Sequence, residues 1–153
     1  MVPRFQLAQM NIARMKGPLD SAVMASFVAR VDEINALADA APGFVWRLKS
    51  YDGGAALALP YDDPMLLVNF SVWESIESLK EYAYKSAHVE LFRRRHEWFE
   101  QFEGAYSVLW WIPEGKIPTI EEAKQRLAHL QAHGPSAYAF GFKSVHQPDA
   151  VTA

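Results

Sequence analysis

Met65-Leu-Leu-Val-Asn-Phe-Ser-Val-Trp-Glu-Ser75 decides how this chain is read. Its first nine residues predict a strand from Met65 to Trp73, and Glu74-Ser75 opens a helix. Side chains along a strand alternate between the two faces of a sheet. Asn69, Ser71 and Trp73 therefore share one face, and Leu66, Val68, Phe70 and Val72 share the other. An all-apolar face suits contact with another layer. A face carrying an amide, a hydroxyl and an indole suits a pocket beneath helices.

The rest of the chain supplies partners for this strand. Phe5 to Ile12 predicts a first strand with apolar residues on both faces, as in a sheet covered on both sides. Gly17-Pro18 breaks it. Asp20 or Ser21 can cap a helix running to about Ala40, with Val23, Phe27, Val31, Ile34 and Leu37 at 3/4 spacing. Phe44 to Ser50 predicts strand two, with Phe44, Trp46 and Leu48 on one face and Val45, Arg47 and Lys49 on the other. The turn-rich residues Tyr51 to Pro64 leave open a short hairpin arm or a lid. After strand three come a helical piece from Ser75 to about Tyr84 and a second from about Ser86 to Phe102. Tyr106 to Ile112 predicts strand four. Thr119-Ile-Glu-Glu122 is a capping box for a last helix ending at Gly134-Pro135, and Tyr138 to Phe142 predicts an edge strand.

The order β-α-β-β-α-β is the split βαβ, or ferredoxin-like, pattern of an α+β fold with a four-stranded antiparallel sheet, here with an extra C-terminal helix and short strand. With helices on one face, the other face is left apolar, so a second copy is expected to cover it as a homodimer. One domain is expected over residues 1–143, with residues 144–153 as a flexible tail.

Composition narrows the function. In 153 residues, half are hydrophobic and 13% aromatic, which excludes a disordered chain. Fifteen Lys and Arg against 18 Asp and Glu give a net charge of −3, so no global field attracts nucleic acid or an anionic membrane. No stretch approaches the roughly 20 apolar residues of a membrane span, and the N-terminus lacks a signal-peptide apolar run. The absence of cysteine removes disulfides, thiolate metal sites and a cysteine nucleophile, and fits a cytoplasmic protein. There is no phosphate loop, dinucleotide fingerprint or nucleophile elbow.

Within the pocket face, Asn69, Ser71 and Trp73 are joined by Asn11 from strand one. Asn11 can equally cap backbone at a strand end, and Trp73 can be core while still walling a pocket. His88 and Arg95 are seven apart, on nearly one helix line and about 10 Å from each other, with Phe92 and Phe99 near that line. An imidazole there is the best available proton shuttle, although a lone histidine on an apolar stripe is more commonly a hydrogen-bonded core residue. Arg93, Arg94 and Arg95 point in different directions; surface ion pairs with Glu90, Glu97 or Glu100 are the simple reading, and one can reach an anionic substrate group. His129 and His133 have a chelating i, i+4 spacing but no third ligand follows at once, so surface histidines are expected and no metal site.

Phe70-Ser-Val-Trp-Glu-Ser75 and Ser86-Ala-His88 resemble recurrent passages of the dimeric α/β-barrel superfamily, which includes antibiotic-biosynthesis monooxygenase-like proteins. From Leu7 to Phe142 the chain looks like a bacterial family known only as a domain of unknown function. The matching passages are Leu7-Ala-Gln-Met-Asn-Ile-Ala13, Pro42-Gly-Phe-Val-Trp-Arg47, Leu67 to Ser75, Arg94-Arg-His-Glu-Trp-Phe99, Trp110-Trp-Ile-Pro113 and His133 to Phe140. The resemblance implies a dimeric barrel and a small-molecule ligand. Cofactor-free monooxygenases of the superfamily bind polycyclic phenols through Asn, Trp and Arg side chains. By that likeness Asn69, Trp73 and Arg47 are the nearest counterparts; together with the proton-shuttle reading of His88, the candidate catalytic residues are Asn69, Arg47 and His88, and the candidate substrate contacts are Asn11, Ser71, Trp73, Phe92 and Arg95. The implied chemistry is oxidation of an aromatic or enolisable substrate without a cofactor. The same fold also serves non-catalytic ligand-binding or stress-related proteins and haem-binding members, so fold alone does not choose among them.

Overall fold

The computed structural model describes residues 4–48, 63, 65–85, 88–101 and 105–148. Strand β1 is Phe5–Arg14, helix α1 Ala25–Ala40, β2 Phe44–Arg47, β3 Leu66–Trp73, α2 Ile76–Lys85, α3 His88–Arg93, β4 Ser107–Pro113 and α4 Ile120–His133. The strands form one antiparallel sheet in the order β2-β3-β1-β4, the ferredoxin-like arrangement that the element order predicts. Register follows alternation: Leu7 faces Trp73, Gln9 faces Ser71 and Asn11 faces Asn69, while on the other side of β1 Leu7 faces Trp111 and Asn11 faces Ser107.

The two faces of the sheet are different layers. Ala8, Met10 and Ile12 of β1, Val68, Phe70 and Val72 of β3, and Val108, Trp110 and Ile112 of β4 form one core with Ala123, Leu127 and Leu130 of α4. Leu7, Trp73, Leu109 and Trp111 face the other way and pack with Ile76 and Leu79 of α2 and with Phe140. A third cluster at one end joins Met15, Ile34, Leu67, Leu91 and Trp98.

The apolar face expected to await a second subunit is thus covered by α4 of the same chain. Met10, Val108 and Trp110 are all fully buried there. An unsatisfied sheet face is therefore no argument for a dimer. Thr119 Oγ1 accepts from the Glu122 amide at 3.1 Å, the expected half of the capping box. The Glu122 carboxylate does not reach back. It accepts from Trp110 Nε1 at 2.8 Å and ties α4 to the sheet.

Other expectations shift for local reasons. A 3₁₀ turn at Ala22–Met24 precedes α1, and Ser21 Oγ donates to Pro18 O at 2.5 Å instead of capping the helix. The buried face of α1 runs through Val31, Ile34 and Ala38, leaving Val23 and Leu37 largely exposed. A register shift between Phe44 and Trp46 puts those rings on opposite faces of the sheet: Phe44 meets Trp73 edge-on at 5.4 Å and Trp46 meets Phe70 at 5.2 Å. The expected helix from Ser86 to Phe102 stops at Arg93. A 3₁₀ turn at Arg95–Glu97 follows, and Phe99 bridges to Met15 beside β1. The expected edge strand is a single bridge between Phe140 and Leu109. Farther on, Trp111 Nε1 donates to His146 O at 2.7 Å and Val145 packs on the core beneath α2. The lid or arm expected over Tyr51–Pro64 lies outside the described residues except for Asp63, as do Ser86, Ala87, Phe102 and residues 149–153. Among the described residues no helix is long and apolar enough to cross a membrane.

Candidate functional site

Alternation on β1 and β3 brings polar groups together in the middle of the helix-covered face. Gln9 Nε2 donates to Ser71 Oγ at 2.7 Å and lies 3.1 Å from Asn69 Oδ1. Trp73 Nε1 donates to the same Ser71 hydroxyl at 2.8 Å. Gln9 and Ser71 are buried, whereas Asn69 is open to solvent. Buried polar side chains persist when their bonds are made, and this network makes them.

These residues floor an open cleft of about 590 Å³, within the size range of small-molecule sites. Trp73, 1% exposed, stacks on Tyr82 of α2 at 5.1 Å and forms a rigid inner wall with Phe44. Arg47 enters the cleft from β2 because of the register shift. Its guanidinium grips Asp39 of α1 in a fork, at 2.7 and 3.2 Å. Burial pushes the Tyr82 phenol up to about 12, and its hydroxyl is 3.3 Å from Ile34 O. This side chain is therefore a neutral donor at ordinary pH, not a base. An unfolded tyrosine ionises near pH 10, so the unfolded chain releases that proton first. The stability held by the neutral phenol is lost as pH rises from about 10 to about 12. Spectrophotometric titration should show a late-ionising tyrosine that disappears in Tyr82→Phe.

A second cleft, about 760 Å³, continues toward the α3 end. Both are lined by Asn11, Asn69 and Asn35, so three carboxamides meet at the junction. Asn35 Nδ2 is buried without a hydrogen-bond partner among the described residues. Phe92, 42% exposed, also borders both clefts. Arg95 borders only the second; its guanidinium lies 4.0 Å over the Phe92 ring and donates to Phe92 O at 2.8 Å. The 3₁₀ turn removes Arg95 from α3, so the single helix line expected for it and His88 does not form. His88 is the first residue of α3, and its side chain lies outside the described part.

Of the sequence candidates, Asn11, Arg47, Asn69, Ser71, Trp73 and Phe92 thus border one cleft. Sequence reasoning missed Gln9, Asn35 and Tyr82. Gln9 could have been found from its place between Leu7 and Asn11, once opposite Ser71. Asn35 follows Ile34 on the inner edge of α1, four residues after the buried Val31. His129 and His133 stand apart on α4 with ring centroids 4.7 Å apart. Among the described residues no three His, Cys, Asp or Glu side chains cluster as a metal site.

Residues 6–153 match the model of the DUF3291 family, a domain of unknown function. A comparison with curated proteins finds no match. Among solved structures, a protein of unknown function from Nitrosomonas europaea superposes with a TM-score of 0.50 at 12% identity, covering 77% of this chain and 99% of that one. The cofactor-independent oxygenase SnoaB from Streptomyces nogalater gives a TM-score of 0.46 at 15% identity, covering 75% of this chain and 96% of its own. At such identity the likeness is one of fold.

Proposed function

Since the chain belongs to the DUF3291 family, whose description names no activity, we propose a function from the cleft itself: it binds a small, largely apolar aromatic molecule and oxidises it without a cofactor. The observation that carries this reading is the set of amides on a largely apolar surface. Gln9, Asn11 and Asn69 lie on the sheet beside the Trp73 indole, and Asn35 Nδ2 on the helix side has no partner. Carboxamides hold a phenolic or carbonyl oxygen without a charge of their own, and the aromatic walls hold its ring.

In this reading the substrate is a phenol or another enolisable ring. His88 takes the acidic proton, and Asn69, Asn11 and Arg47 stabilise the resulting oxyanion and the reduced oxygen species. Arg47 spends two N–H groups on Asp39 and keeps others for a ligand. Ser71 orients the floor through Gln9 and Trp73, while Trp73 and Phe92 exclude water and Arg95 contacts the substrate rim. Dioxygen gives one atom to a ring carbon as a carbonyl; the other leaves as water with the two hydrogens of that carbon. The protein is taken as a cytoplasmic homodimer whose contact lies outside the face α4 covers, and light scattering would give twice the chain mass.

The test is fluorescence titration with dihydroxyanthrone, followed by oxygen uptake. Asn69→Ala is expected to weaken binding about tenfold, the worth of a hydrogen bond or two, with little change in melting. His88→Ala should bind normally and consume no oxygen. Failure of the wild-type protein to bind, or binding indifferent to Asn69→Ala, overturns the reading; binding without uptake leaves the non-catalytic ligand-binding form of it.

A further inference from the structure

The second cleft carries two arginines at one end. Phe27, Leu91 and Trp98 wall it, with Trp98 1% exposed and the Phe27 ring 5.4 Å from it. At its mouth stand Arg93, Arg95, His96 and Glu100. Neighbouring arginines are already matched. Arg94 forks onto Glu97 at 2.8 and 3.1 Å, and Arg30 pairs with Glu33 at 3.1 Å and Glu90 at 3.4 Å. Arg93 and Arg95 have no carboxylate partner among the described residues. Arg95 is nonetheless held, by its bond to Phe92 O and by the Phe92 ring beneath it. Glu100 is the sole carboxylate lining the cleft among the described residues, so two guanidiniums outweigh it. His96 commits its carbonyl to Lys16 Nζ, at 2.5 Å.

The inner end makes a second, independent demand. Asn35 Nδ2 is a buried donor with no acceptor among the described residues, a costly arrangement unless something fills it. It borders this cleft together with Asn11 and Asn69. A ligand that satisfies both ends has a negative charge at one end, an apolar body, and an acceptor oxygen at the other.

We propose that the second cleft binds an aromatic carboxylic acid, its carboxylate between Arg93 and Arg95, its rings against the wall that Phe27 and Leu91 present, and an oxygen at Asn35. This names the substrate class of the ligand site and rests on the reading that the trough between helices and sheet is that site. Planar guanidiniums match carboxylates in geometry as well as charge. The acid group selects and orients the molecule, and its reacting ring then lies toward the amides of the first cleft.

The test compares anthracene carboxylate with its neutral carboxamide by fluorescence titration of the whole protein. At low salt the acid is expected to bind about tenfold more tightly, an advantage that shrinks as salt screens the guanidiniums. Arg93→Gln combined with Arg95→Gln should reduce the advantage to about twofold or less, the acid losing more affinity than the carboxamide. Both side chains are exposed, so melting should hold and report a folded variant. Equal binding of acid and amide, or an advantage that survives both substitutions, overturns the proposal. If dihydroxyanthrone still binds in an Asn69-dependent way, only the carboxylate assignment falls; if neither compound class binds, both readings fall.

Discussion

Trp73→Ala is expected to lower the unfolding free energy by about 3–5 kcal/mol, the cost of emptying a large buried aromatic site. The residue is 1% exposed and borders three elements at once. It stacks on Tyr82 at 5.1 Å, meets Phe44 edge-on at 5.4 Å, and lies opposite Leu7 in the sheet register. Its indole N–H also donates to Ser71 Oγ, which Gln9 shares. Urea denaturation would measure the loss. Trp73→Phe should lose less, about 1–3 kcal/mol, because most of the ring remains while the Ser71 bond goes. A loss below about 1 kcal/mol for the alanine variant would contradict the packing described, since no buried tryptophan with these contacts is that cheap to remove.

Gly43→Ala is the second large effect, about 2–5 kcal/mol from two sources. Gly43 has φ +83°, a conformation that costs other residues about 1–2 kcal/mol. An added methyl would also overlap Ser78 Cβ and come within 2.6 Å of its Oγ, and overpacking adds about 1–3 kcal/mol. Ser78 cannot simply turn away. Its amide and hydroxyl bond Ser75 at 3.1 and 2.9 Å and close the first turn of α2. Gly43 O in turn accepts from the Glu74 amide at 2.7 Å. Adding Ser78→Gly to Gly43→Ala should recover the steric part while the φ strain stays. If the double variant is no more stable than Gly43→Ala, the clash is not the cause. Because β2 begins at the next residue, the same substitution should displace Arg47 from the cleft.

What the sequence made legible follows from which forces are local. Alternation in β3, the capping threonine at 119 and the β-α-β-β-α-β order are local signals, and each appears in the fold. The placement of Asn69, Ser71 and Trp73 on the helix-covered face also follows from a period of two. The failures are tertiary. The register shift in β2 depends on pairing with β3, so Phe44 parts from Trp46 and Leu48, with which a period of two groups it, and lines the cleft with Arg47. The end of α3 at Arg93 coincides with Phe99 pairing beside Met15, a contact across more than 80 positions that no helical period encodes. The helical spacing of Ala123, Leu127 and Leu130 is a local signal, but their packing on the same chain's sheet is not. Gln9 and Asn35 look like ordinary polar residues until the register and helix packing set them at a cleft.

The bridge between Phe140 and Leu109 has one more effect. Leu109 gives its amide to Phe140 O at 2.7 Å and its carbonyl to the Phe140 amide at 3.0 Å, so the chain's own C-terminal segment occupies part of the outer margin of β4. The opposite margin, β2, has only four residues and an irregular pairing. Short, irregular or occupied margins give an incoming strand little to zip onto. The sheet is thereby guarded at both sides against edge-to-edge growth, and shortening the chain before Phe140 should expose a ribbon of unpaired β4 backbone prone to aggregation.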